Sequence, residues 1–183
     1  WFARLAATGD AVDLYRGLRP RLVRVIARIV LGDAPLARDD AWLRDVDALM
    51  DFPGRPMLEQ QWKLPIPGTP WARFVAARRR VDRALYGEID RRAAAHPSGG
   101  ADEAHDDVLS MLTRARDEEG RPLSPAELRD QSLSLVSAGF DTTSSALSWA
   151  VAMAFEHADE AAAVRAELTG LDAATAQRAP LLD

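Results

Sequence analysis

The stretch Ser137-Ala138-Gly139-Phe140-Asp141-Thr142-Thr143-Ser144 sets a glycine, a carboxylate and a run of hydroxyls in the middle of a long helical pattern. The start of that helix is written at Ser124-Pro125-Ala126-Glu127. A capping serine, a proline at the first helical position and a glutamate three residues after the serine together satisfy the orphan amides of a helix N-terminus. Apolar residues then recur at helical spacing through Leu128, Leu133, Leu135, Val136, Leu147, Val151 and Phe155, with no proline before Pro180. The spacing predicts one helix over Pro125 to His157, roughly 33 residues and about 50 Å long. Inside it, Gly139 costs about 1 kcal/mol relative to alanine, and Thr142 and Thr143 cost a few tenths each. Nothing in the local sequence offsets that cost, so the reason lies in what the helix meets.

Two readings of the break are open from the residues alone. Ser134, Ala138 and Thr142 are spaced by four, so they stack along one face with Asp141 beside it. Small side chains there leave room for something flat or bulky. A threonine hydroxyl can bond back to the carbonyl four residues earlier, and a neighbouring carboxylate can take and give protons. Alternatively, the small residues let two helices cross closely while Asp141 is solvated.

Ala138-Gly139-Phe140-Asp141-Thr142-Thr143 resembles the A/G-G-x-D/E-T-T signature of the long distal helix of the cytochromes P450. Its flanks resemble bacterial members of that family in order and spacing: His105 to Leu112, Arg116 to Ser124 and Glu127 to Asp130 upstream, then Glu156 to Glu160 and Val164 to Leu168 downstream. The family usually has a proline where Ala158 stands. Further upstream, Val12 to Tyr15 followed by Val25 to Gly32 is similar to the helix that packs beneath the distal helix. Pro20 departs from the pattern, and its missing amide should kink that helix or make it start there. Leu64 to Pro70, followed by the basic run at Arg78-Arg79-Arg80, resembles the loop and helix that roof the substrate cavity.

The resemblance implies a mainly α fold, an orthogonal multi-helix array built around one long central helix. It also implies a haem-thiolate monooxygenase, in which haem b activates O2 with two electrons and two protons and a substrate C–H bond is hydroxylated. The site residues it implies are Asp141 as the acid of the proton relay and Thr142 as the threonine that hydrogen-bonds the oxygen unit or the water beside it. Ala138 and Gly139 match the place where the helix passes over the haem, and Ser134 and Ser137 would point towards the substrate cavity. A small organic substrate, O2 and an electron donor of the ferredoxin or flavodoxin-type reductase class follow as partners.

The family holds its iron through a cysteine thiolate, and this sequence contains no cysteine. The family's E-x-x-R pair is also absent, and Ala179 to Asp183 resembles the lead-in to the helix that carries it. Residues 1–183 therefore read as a single partial domain, an internal piece that is expected to show no haem-dependent turnover by itself. The alternative is a stable helical protein derived from the same family, without catalysis, using the cavity roof as a binding surface.

Composition fits a helical piece with one core: 183 residues, 48% hydrophobic and 28% charged. There is no run of about 18 apolar residues, so no membrane span is predicted and a cytoplasmic protein is expected. A net charge of −5 argues against a nucleic-acid partner. The basic run around Arg78 to Arg83, broken by Val81 and Asp82, reads as a solvated helix face. Leu18, Leu22, Val25, Ile26, Ile29 and Val30 make one apolar helix face, and Trp42, Val46, Leu49 and Met50 another. Five prolines between Pro53 and Pro70 exclude a long helix there. A helix from about Trp71 to Ala95 is followed by a turn at His96-Pro97-Ser98-Gly99-Gly100, and a shorter one around Val108 to Leu112 follows that.

No other catalytic constellation stands out. His96, His105 and His157 lack a metal-ligand spacing, and no metal site is expected. His105-Asp106-Asp107 fits a helix start, where acids are favourable, and His157 fits a charge at a helix C-terminus. There is no phosphate loop and no nucleophile elbow.

Overall fold

The computed structural model describes residues 13–61, 63–64, 66–95 and 107–168. The predicted turn at 96–100, together with His105 and Asp106, lies outside them. Among the described residues the only β feature is an isolated bridge between Arg116 and Pro122. The fold is mainly α, as expected. It divides into two units, one ending at Ser144 and the other starting at Ser145.

In the first unit, α1 spans Leu14–Leu31 and is opened by Asp13, whose carboxylate accepts from the Arg16 amide at 2.9 Å. The helix therefore starts six residues before Pro20 and runs through it. Of the two expectations for Pro20, a kink or a helix start, this corrects the second. One lost helical hydrogen bond is outweighed by a formed cap and by the buried face of Leu18, Val23, Ala27, Val30 and Leu31. Gly32 ends the helix at φ 63°, and a β-carbon there would lie 2.5 Å from Asp107 Oδ2, so both backbone and space demand glycine.

A 3-10 turn at Pro35–Arg38 leads to α2, Asp40–Asp51, capped by Asp39 through the amides of Ala41 and Trp42. Among the described residues, the proline-rich segment opens on a 3-10 turn at Phe52–Gly54 and then holds the short α3, Met57–Gln61. Helix α4, Pro70–Ala95, follows, with Thr69 Oγ1 accepting from the Ala72 amide at 3.1 Å. The short α5, Val108–Arg114, is capped by Asp107. A turn with Gly120 at φ 78° leads to α6, Pro125–Glu156, one residue short of the predicted end. The predicted capping box is formed: the Ser124 amide donates to Glu127 Oε2 at 2.8 Å, and the Glu127 amide donates to Ser124 Oγ at 3.3 Å.

The core of this unit comes from repeated fours and threes. Val23, Ala27 and Val30 of α1, Trp42, Val46 and Leu49 of α2, and Ala77, Val81, Leu85 and Ile89 of α4 are all buried. Leu128, Val136 and Phe140 of α6 join them. The arginines of the basic run are exposed, as predicted, and Arg80 makes a bidentate pair with Asp45 of α2 at 2.6 Å through each nitrogen. Apolar side chains also stand in solvent, among them Val25 and Ile29 on α1 and Met111 on α5.

One buried cation ties three helices. Arg92 of α4 donates to Glu88 Oε1 at 2.7 Å, to Asp107 Oδ1 at 2.7 Å, to Ser110 Oγ at 2.7 Å and to the Leu31 carbonyl at the end of α1 at 2.6 Å. Both carboxylates are buried. Burial pushes the Glu88 carboxyl up, but hydrogen bonds from Arg91 and Arg92 outweigh it and hold the group below its ordinary value of 4.5.

The second unit carries the last turns of α6 and then α7, Ala158–Leu168, with only His157 between them. Its amide donates to the Met153 carbonyl at 3.0 Å, and its carbonyl accepts from the Ala161 amide at 3.0 Å.

Arg92→Met leaves Asp107 buried without this cation and Glu88 with Arg91 alone. We expect a loss of about 3–5 kcal/mol, read as a lower urea midpoint at unchanged slope. Acid acts on the same cluster. Because the folded carboxyl of Glu88 lies below its unfolded value, its contribution is complete above about pH 5 and is lost as pH falls through the folded value. The urea midpoint should therefore decline on acidification, and less steeply in Glu88→Gln.

Candidate active-site face of the long helix

A residue step of four on a helix advances about 40° beyond one full turn, so positions four apart form slowly winding stripes. On α6 the stripe Leu128, Ser132, Val136, Phe140, Ser144 is buried throughout. The stripe Ser134, Ala138, Thr142 is exposed throughout. Leu128, Val136 and Phe140 anchor the buried stripe, with Ser132 and Ser144 between and after them, while the exposed stripe carries no bulky group.

Gly139 lies about 100° around the helix from Ala138 and turns towards α1. A β-carbon on Gly139 would stand 3.0 Å from Ile26 Cγ2, 3.2 Å from its Cδ1 and 3.3 Å from its Cγ1. The cost of a mid-helix glycine is thus offset by a close crossing of α1 and α6. Of the residues predicted to pass over a cofactor, Ala138 sits on the exposed face and Gly139 packs against Ile26.

The three hydroxyls that follow all bond back into the helix. Thr142 Oγ1 donates to the Ala138 carbonyl at 2.6 Å, Thr143 Oγ1 to the Gly139 carbonyl, and Ser144 Oγ to the Phe140 carbonyl at 2.6 Å. Such back-bonding loads the carbonyls and favours helix bending. With its proton engaged on Ala138, Thr142 presents oxygen lone pairs to the exposed face.

Asp141 is half-buried and is not simply solvated. Tyr15 Oη of α1 donates to Asp141 Oδ1 at 2.6 Å. That bond, followed by burial, holds the Tyr15 phenol above its ordinary value of 10.0, although the nearby Arg19 opposes the rise. Arg19, one turn along, donates to Tyr15 Oη at 3.4 Å and pairs with Asp47 of α2 at 3.0 Å. Its guanidinium carbon lies 5.4 Å from the ring centroids of both Tyr15 and Phe140, within cation–π range. Sequence reasoning assigned no role to Tyr15, Arg19 or Asp47. The four-residue spacing of Tyr15 and Arg19 was the available signal, and only a fold could say which helix they face. Ser137 is half-buried, one turn before Asp141, and Ser134 is exposed.

For haem, the small exposed face at Ala138 and Thr142 fits the side of a flat macrocycle, since no bulky group projects from either position. The iron's ligand is another matter. The family's iron is held by one cysteine thiolate, and the sequence has no cysteine. These residues therefore fit one side of the cofactor and do not supply its metal ligand. No described helix is long and apolar enough to cross a membrane.

Gly139→Ala is expected to cost about 1–3 kcal/mol through overpacking. Ile26→Ala should cost much less in the Gly139→Ala background than in the parent, because the two positions share one contact. Additive losses in a denaturation cycle would show that the crossing is not the reason for the glycine.

Comparisons with known proteins bear on the family and the fold. The family profile for cytochrome P450 matches residues 5–177. Cytochrome P450 139 of Mycobacterium tuberculosis is 34% identical over 146 residues, covering 78% of this chain and 32% of that protein. Cytochrome P450 135B1 of Mycobacterium bovis is 45% identical over 91 residues, covering 48% of this chain and 18% of the relative. Among solved structures, retinoic acid-bound cyanobacterial CYP120A1 superposes with a TM-score of 0.71 at 26% identity, covering 93% of this chain and 37% of that one. The chain thus spans about a third or less of the length of the proteins it matches. With the profile running over nearly all of the sequence and the helical frame shared with a solved member, the chain belongs to the cytochrome P450 family.

Proposed function

We propose that the protein carrying this chain is a haem-thiolate monooxygenase that hydroxylates a small organic substrate with O2, and that these residues form the distal, proton-handling side of its site. One observation carries the reading. A single turn of α6 sets an exposed small-residue face, Ala138 and Thr142, beside a half-buried carboxylate, Asp141, whose orientation is held from another helix.

In this reading Ala138 and Thr142 line the face of haem b, with Gly139 contributing backbone only. The bound haem supplies the activation of O2, and the protein supplies protons and positioning. Thr142 Oγ1 accepts from a water on the exposed face, or turns off the Ala138 carbonyl to donate there. Asp141, with one oxygen held by Tyr15, exchanges protons through its other oxygen. Ser137 and Ser134, about one and two turns before the relay, face the substrate. The thiolate ligand lies outside these residues. Electrons come from a ferredoxin or a flavodoxin-type reductase in the cytoplasm, and nucleic acid has no part.

Thr142→Ala in the haem-loaded protein should lower product formed per electron consumed and raise peroxide release. Asp141→Asn should slow turnover on the order of a hundredfold. Unchanged coupling in both variants would reject the relay. Residues 1–183 alone, titrated with hemin, should give no thiolate-type Soret band; such a band would overturn the placement of the ligand outside them.

A further inference from the structure

We infer that Tyr15 is a positioning residue for Asp141, clamped in turn by Arg19, so that helix α1 sets the orientation of the relay acid on helix α6. The inference rests on the relay reading above and deepens it. Its basis is a chain of contacts across three helices. Tyr15 Oη donates to Asp141 Oδ1 at 2.6 Å, a distance typical of a phenol donating to an ionised carboxylate. Arg19 reaches Tyr15 Oη from one side at 3.4 Å and pairs with Asp47 of α2 at 3.0 Å on the other. The same guanidinium lies against the ring of Phe140, the residue immediately before Asp141, and Phe140 is fully buried.

The consequence for Asp141 is geometric. A carboxylate on a helix is free to rotate among its side-chain rotamers unless something holds it. Here one oxygen is fixed by a phenol that Arg19 contacts in turn, and no hydrogen bond from a described residue reaches the other, which suits a water or a hydroxyl. Arg19 acts on the acid through Tyr15 and through Phe140, and no contact of its own with Asp141 is needed. The close approach of Gly139 to Ile26 keeps α1 near enough for the phenol to reach. Tyr15 touches neither cofactor nor substrate in this scheme.

The test uses the haem-loaded protein that carries this sequence, with Tyr15→Phe, Asp141→Asn and the double variant. Tyr15→Phe removes one hydroxyl and keeps the ring. It is expected to lower product per electron by about fivefold, the scale of one hydrogen bond, while Asp141→Asn lowers it further. The double variant should match Asp141→Asn alone, because an orienting group has nothing left to orient. A second readout does not depend on turnover. In carbon-13-labelled tyrosine NMR, with the Tyr15 signal assigned by its loss in Tyr15→Phe, Asp141→Asn should move the Tyr15 titration down towards the ordinary phenol value. Coupling unchanged in Tyr15→Phe, additive losses in the double variant, or a Tyr15 titration indifferent to Asp141 would each overturn the inference. If Asp141→Asn leaves coupling unchanged while the Tyr15 titration still moves, the bond stands and the relay reading fails, taking the positioning role with it.

Discussion

The close crossing of α1 and α6 at Gly139 and Ile26 is the constraint on which the rest of the candidate site depends. Where the Ile26 side chain of one helix packs directly onto a glycine of the other, short polar contacts come within reach that longer separations forbid. Tyr15 reaches Asp141, Arg19 reaches Phe140, and the stripe on the far side of α6 is left open at Ser134, Ala138 and Thr142. A single methyl group at position 139 would press on Ile26. Well-packed interiors resist such insertion because neighbouring side chains already sit near their rotamer minima.

The second organising interaction is the buried Arg92. It closes the carbonyl end of α1, pairs with Asp107 and, together with Arg91, with Glu88, and fastens the start of α5. Buried ion pairs give weak net stability, yet removing one partner leaves an unpaired charge at high cost. The cluster therefore acts as a specification of how α1, α4 and α5 meet more than as a source of stability. Apolar stripes on α1, α2 and α4 supply the driving force, and the polar cluster selects their arrangement.

Much of the helical frame was legible in the residues. The capping box at Ser124, the proline-rich gap before Pro70 and the stripe of α2 correspond to formed elements, whereas Val25 and Ile29 of the expected α1 face stand in solvent and Val23, Ala27 and Leu31 are buried instead. Pro20 was misleading, since a formed cap at Asp13 and a buried face carry α1 through it. The partners of Asp141 were not legible. Tyr15 lies 126 positions away in sequence, and no local pattern says which residues a half-buried carboxylate will find at such separation. The two sequence readings of the break were posed as alternatives, and the structure distributes them over neighbouring residues: Gly139 belongs to the helix crossing, and Ala138 and Thr142 to the open face.

The sequence by itself determined the long helices, the start of α6, the hydroxyl-rich turn with its carboxylate, and the lack of any cysteine, because capping, periodicity and composition are local or additive properties. The tertiary structure alone decided which side of that turn is closed and which is open, and that α1 holds the acid. Those outcomes depend on the distance between two helices, and that distance is fixed by packing between residues far apart in the chain.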